Sequence, residues 1–246
     1  MGDCTQALKA TNGDINAAME WLKKKGLMTF EKKRGRTTAY GTLIAAVVPD
    51  RIGLVVRLSC ETDFAARNNT FLRTAVKVRT EAQKMISAAV PENVLLVPPQ
   101  EWSQKLSAAC LADIAQCVSV IGENVAVTDV QTVRLPVTST PPPATVFGHY
   151  VHNEQDGFDG LGWIIGLVAL RSRGGGAVPT LSPTLPNDIA QLLVSSCGET
   201  AGLTTQALVG SDEPLSTVLD RCGLDLVGTA YYDINHPPNN EPVTTA

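Results

Sequence analysis

Apolar positions follow two rhythms along this chain. The first is helical. Ala7 and Leu8 supply the apolar side of one short helix, and Thr11-Asn12-Gly13-Asp14 forms a turn in which Asp14 is a good N-cap. Ile15, Ala18, Met19 and Leu22 then recur at i, i+3, i+4 and i+7, one face of a second helix that Gly26 is expected to close. Two helices of this size cannot bury a core alone, so they either follow a further helix or lean on another part of the protein. The second rhythm begins after a charged stretch. Tyr40 to Val48 reads as a strand and Pro49-Asp50-Arg51 as a turn. Ile52, Leu54, Val56, Leu58 and Cys60 alternate with Gly53, Val55, Arg57 and Ser59, which predicts a strand with one buried face, paired with the first as a hairpin.

The helical period returns with Phe71, Ala75, Val78, Ala82, Met85, Ile86 and Ala89 on one face of a long helix. Pro91 to Pro99 interrupts it. Ser103 is expected to cap a further helix carrying Leu106, Cys110, Leu111 and Ile114, and Val125 to Leu135 reads as a strand. Pro136 to Pro143 is a stiff linker. The order then repeats more loosely. Strands are expected at Thr145 to Val151, Trp163 to Leu170 and Leu226 to Tyr232, with an acidic glycine-rich loop at Asn153 to Gly160 and a glycine-rich turn at Arg171 to Gly176. Asn187 or Asp188 is expected to cap a helix with Ile189, Leu192 and Leu193 inside, and Leu215 to Leu219 is a short helix. The pattern predicts an α+β protein: a helical module at 1–27, a linker at 28–38, one lobe of antiparallel sheet packed with helices at 39–136, a Pro-rich linker at 137–144, a related second lobe at 145–235 and a tail at 236–246.

Composition narrows the chemistry. Of 246 residues, 44% are hydrophobic and 18% charged, an ordinary globular balance. No apolar run reaches the ~18 residues of a membrane span, so no membrane partner is expected. The net charge of −4 gives no general attraction to nucleic acid. Lys23, Lys24, Lys25, Lys32, Lys33, Arg34 and Arg36 form a local basic cluster, read as a solvated face or a docking surface for an acidic partner. The six cysteines form no C-x-x-C and the three histidines no zinc spacing, so no metal site and no cofactor are expected, and the thiols read as reduced core residues.

Catalytic readings fail one by one. Cys60 falls on the buried face of its strand with no histidine near in sequence. Strand alternation puts His149 and His152 on opposite faces. Arg173-Gly174-Gly175-Gly176 lacks the Lys-Ser/Thr of a phosphate loop. Phe64 is the informative residue. It follows Thr62-Asp63 where the strand ends, in a polar stretch before a helix. Pattern alone favours Phe64 folding back as a core anchor with Asp63 as cap, and leaves open an exposed aromatic tip that enters a partner's pocket.

Thr62-Asp63-Phe64-Ala65-Ala66-Arg67-Asn68 with Phe71 resembles the T-D-F-V-A-[RK]-N segment of elongation factor Ts. Three further runs resemble the same family in the same order: Asp3-Cys4-x-x-Ala7-Leu8 followed by Asn12-Gly13-Asp14-Ile15-x-x-Ala18, then Ile121-Gly122-Glu123-Asn124, then Tyr150-x-His152. The resemblance implies a ubiquitin-associated-like helical module whose first helix is missing, ahead of a two-lobed dimerisation-type core. It implies a non-enzymatic guanine-nucleotide exchange factor. In the family the Asp-Phe pair wedges into the GTP-binding domain of elongation factor Tu near its Mg²⁺ and phosphate site, so that GDP leaves. Carried onto this chain, Asp63 and Phe64 match that pair, flanked by Thr62 and Arg67. Ile121 and Gly122 match a second contact patch, His152 a contact in the C-terminal lobe, and Met1 and Gly2 the contact end of the helical module. The implied partner is GDP-bound elongation factor Tu. Ser195 to Gln206 is too short for the coiled-coil insertion that many bacterial members carry. Glu61 stands where Gln or Asp is more common. Such departures point to a divergent mitochondrial-matrix member, with the bacterial cytoplasm as the alternative. The chain start reads as trimmed, so the lack of a targeting segment is uninformative. The rival class is a module that binds ubiquitin-like partners, with Phe64 in the core.

Overall fold

The computed structural model describes residues 2–48, 52–88, 99–133, 145–174 and 184–236. Two helices, α1 (Gly2–Ala10) and α2 (Ile15–Lys33), precede the hairpin of β1 (Tyr40–Val48) and β2 (Ile52–Cys60). The single turn α3 (Asp63–Ala66), α4 (Asn69–Ala88), α5 (Pro99–Ala109), α6 (Leu111–Ile121) and β3 (Val125–Thr132) complete the first half. The second half contains β4 (Thr145–His152), the two-residue β5 (Leu161–Gly162), β6 (Ile164–Ser172), α7 (Leu185–Ser195), a 3₁₀ turn (Leu203–Thr205), α8 (Leu215–Cys222) and β7 (Leu224–Asp233). The strands form two antiparallel sheets, ordered β3-β2-β1-β5 and β4-β6-β7. The class is α+β, as the two rhythms predict. The expected Pro136–Pro143 linker, Met1 and all of the tail beyond His236 lie outside the described residues.

β2 departs from its expected single buried face. Leu54, Val56 and Leu58 pack with Phe71, Ala75, Val78 and Ala82 of α4, as alternation requires. Val55, however, joins Leu43, Ala45 and Val47 of β1 in a second cluster with Ile165, Leu167 and Ala169 of β6. The two sheets therefore stack face to face, with helices on each outer side. The outer core of the second sheet joins Val168 and Leu170 to Ile189, Leu193 and Leu219. The halves also share a sheet: Leu161 and Gly162 pair with Ile44 and Leu43, so β5 extends the first sheet with chain from the second half.

Several local expectations are corrected by packing. Asp14 does cap α2, its Oδ1 accepting from Ala17 N–H at 3.0 Å. Gly26 does not end that helix, which runs on to Lys33, so residues 28–33 are helix rather than linker. Gly26 is buried where α2 packs on α6, its nearest neighbours there being Ala115 and Ser119. The helix pair thus leans on α6. Ser103 sits inside α5, which begins at Pro99. The single helix expected from Ser103 is two, α5 and α6, and Leu111 is exposed. Thr184 occupies the N-cap position of α7, leaving Asn187 and Asp188 in its first turn. The Asn187 carboxamide oxygen instead accepts the His149 backbone N–H at 3.0 Å.

His149 is partly buried on β4, and burial lowers its pKa from 6.5; Glu154 opposes the shift and Arg79 adds to it. The folded state therefore binds this proton less well than the unfolded chain does. Its contribution to stability is present above 6.5 and is lost as the pH falls below it. Thermal melts between about pH 7.5 and about pH 5.5 are expected to fall less steeply for His149→Asn than for the parent chain. Equal slopes would refute the assignment.

Candidate functional site

The site grows out of the end of β2. Cys60 is the last buried residue of the strand, and its thiol donates to the Thr62 carbonyl at 3.2 Å. Burial first, and then the nearby charge of Glu123, push that thiol up to about 12, so Cys60 stays protonated and serves as scaffold. Thr62 is extended and caps α3: its Oγ1 accepts from Ala65 N–H at 3.2 Å. Thr62, rather than Asp63, is the cap.

A second segment meets the first from the neighbouring strand: Glu123 and Asn124 lead into β3, whose Val125 pairs with Cys60. Glu123 Oε2 accepts Thr62 N–H at 3.0 Å, and Oε1 accepts the Thr62 hydroxyl at 2.8 Å. In return, Glu61 Oε1 accepts Asn124 N–H at 2.6 Å, and it lies 3.5 Å from Arg36 Nη1. Two carboxylates thus cross-link two turns roughly sixty residues apart in the chain. The Asn124 side chain is buried and donates to the Arg36 carbonyl at 2.8 Å, which draws in the chain after α2. Gly122 ends α6 at φ +77°, a left-handed position that suits glycine, and its carbonyl accepts from the Lys33 ammonium.

This frame decides where Phe64 points. On the one turn of α3, Ala65 faces inward and joins the core with Cys60 and Phe71. Phe64 faces outward and is 84% exposed, the most exposed large apolar side chain among the described residues. The core-anchor reading of Phe64 is therefore wrong, and with it the part of the rival class that relied on it: the inward place belongs to Ala65. Asp63 is half-exposed beside Phe64, with its carboxylate 4.0 Å from the Arg67 guanidinium. Asn68 shapes the exit, its Oδ1 accepting Thr70 N–H at 2.8 Å as α4 begins.

The structure brings Thr62, Asp63, Phe64, Arg67, Ile121 and Gly122 into one region. Ile121 is partly buried and Gly122 exposed. His152 lies on the other sheet, exposed at the end of β4, with its ring 6.5 Å from that of Tyr150. Gly2 is exposed at the start of α1. Of the residues that build the frame, Glu123 and Asn124 stand in a recognised motif and Glu61 just before another, without a role assigned to them. A clue to them was available: charged or amide side chains at both ends of buried strands, where free backbone N–H groups need acceptors.

Fold and site together define an α+β protein of two antiparallel sheets packed with helices that holds an aromatic side chain out to solvent on a braced turn. No protein-family model matches the chain. Curated relatives do. Elongation factor Ts 1, mitochondrial, of Trypanosoma cruzi is 33% identical over 240 residues, 97% of this chain and 83% of the relative. Elongation factor Ts, mitochondrial, of Leishmania major is 30% identical over 244 residues, 97% of this chain and 85% of the relative. Elongation factor Ts of the bacterium Methylocella silvestris is 37% identical over 179 residues, 72% of this chain and 52% of the relative. The chain belongs to the elongation factor Ts family. It is a translation elongation factor, a protein of protein biosynthesis.

Proposed function

We propose that this protein is a guanine-nucleotide exchange factor that binds GDP-bound elongation factor Tu in the mitochondrial matrix and speeds GDP release by inserting Asp63 and Phe64 near the Mg²⁺ and phosphate site. The observation that carries this reading is the outward Phe64 on a turn fastened at Thr62. An isolated protein gains nothing by holding a phenyl ring in water; a partner pocket gives that exposure a use. Ile121 and Gly122 form a second contact beside the tip. His152 makes a further contact from the second lobe, and Met1 and Gly2 contribute from the helical module.

The mechanism needs no covalent step. If the factor weakens GDP binding by a given ratio, GDP weakens factor binding by the same ratio. The factor binds better to the form of the partner whose nucleotide site is distorted, so a transient ternary complex loses GDP faster. The helix pair α1 and α2 acts as the ubiquitin-associated-like module, and 39–136 and 145–235 as the two lobes. Release of labelled GDP from elongation factor Tu, followed with and without this protein, tests the proposal: acceleration is expected, and an unchanged release rate would overturn it.

A further inference from the structure

We infer that Glu123 is a positioning residue for the exchange tip, acting through Thr62 rather than by touching the partner; the functional half of this inference rests on the exchange reading above. α3 has only four residues, too few to hold a helical turn by its own hydrogen bonds. Its order must come from outside, and the contacts name the source. Ala65 N–H donates to Thr62 Oγ1, and the Thr62 hydroxyl donates onward to Glu123 Oε1. One carboxylate therefore orients the hydroxyl that caps the turn. Its other oxygen accepts the Thr62 N–H, which fixes the backbone at the same residue. Such chains polarise one another, and an ionised acceptor strengthens each bond in turn.

Glu61 completes the brace in the opposite sense by accepting Asn124 N–H. The crossing matters because each turn holds the other. The side chain of the first turn fixes the backbone of the second, and the side chain of the second fixes the backbone of the first. Rotation of α3 about its entry would break both Glu123 bonds at once. Phe64 follows two residues after Thr62, so its direction is set by this anchor and by the inward packing of Ala65. Asp63 shares the same turn. Phe64 then enters a partner without first having to order its own loop, so the entropy of that ordering is not charged to the encounter.

Two further variants separate positioning from simple loss of structure. Thr62→Val keeps the shape but removes the hydroxyl; Thr62→Ser keeps the hydroxyl. Glu123→Ala and Thr62→Val are each expected to lower the saturating GDP-release rate about tenfold, whereas Thr62→Ser stays close to the parent. In a double-mutant cycle, Glu123→Ala combined with Phe64→Ala is expected to be no slower than Phe64→Ala alone, because a positioning group has nothing left to position. Amide hydrogen exchange of the free protein supplies a readout without any partner: Thr62 and Ala65 are expected to lose protection in Glu123→Ala while the amides of β2 and α4 keep theirs. Unchanged protection at Thr62 and Ala65, or losses of rate that multiply in the double variant, would overturn the inference. If the parent protein fails to accelerate GDP release, the exchange reading falls, and the exchange of these two amides still decides whether Glu123 orders the turn.

Discussion

Phe64→Ala is expected to slow stimulated GDP release by about tenfold to a hundredfold, the equivalent of ~1.5–3 kcal/mol of lost aromatic burial in the complex. The melting temperature of the free protein is expected to stay within about 1 °C of the parent, since the ring makes no core contact to lose. The two readouts together are diagnostic. A core phenylalanine truncated to alanine costs about 3–5 kcal/mol of stability, because it leaves a cavity. Phe64 is 84% exposed, so that term is absent here. By contrast Phe71, seven residues on, is fully buried among β2 and α4, and its truncation carries the cavity cost. Measuring both variants side by side, by labelled-GDP release and by thermal melt, separates tip from core. A Phe64→Ala protein that exchanges at the parental rate would remove the tip from the mechanism.

The second large effect concerns stability. Gly148→Ala is expected to destabilise the protein by about 3 kcal/mol, with a fall in Tm on the order of 10 °C. A Cβ at Gly148 would lie 2.3 Å from both the carbonyl carbon and the carbonyl oxygen of Pro186. Those atoms are helix backbone and cannot swing aside as a flexible side chain would. Gly166, opposite Tyr150 on the neighbouring strand, repeats the situation, with 2.7 Å from its Cβ position to the Ala190 carbonyl. Two glycines thus form the floor on which α7 rests, backbone against sheet. Moving α7 outward to admit a methyl group would loosen Ile189 and Leu193 in the outer core. Gly2→Ala, which meets nothing within 4 Å, is the matched control and is expected to melt like the parent.

How much of this was legible in the residues depended on the range of the interaction. The β1–β2 pairing and the buried stripe of α4 from Phe71 to Ile86 follow from alternation and from helical spacing, which are local, and both form where expected. Helix ends were less legible. Gly26 has the propensity of a stop, but the packing of α2 on α6 outweighs a local preference of ~1 kcal/mol. The stacking of the sheets was hidden because Gly53 and Ser59 make the second face of β2 look polar. A Cβ at Gly53 would in fact lie only 3.3 Å from the methyl groups of Leu167, and the Ser59 hydroxyl is satisfied by Thr128 at 2.7 Å. At the site, the family motif singled out Asp63 and Phe64, whereas local pattern could not choose between core and tip. The choice is made by Glu123, some sixty residues away, and no local window contains it.

The two-residue strand β5 has a consequence for what happens when this chain is cut. Besides its pairing with Leu43 and Ile44, the segment offers the Gly160 carbonyl to Ala45 N–H at 2.8 Å and the Gly162 carbonyl to the Thr42 hydroxyl at 3.2 Å. It is the cover over the outer edge of β1. A fragment ending at Val133 would lack that cover and would carry a bare row of backbone donors and acceptors, flanked by apolar side chains. Such a fragment is a template for pairing with its own copies. Retaining the second half therefore protects the first from self-association.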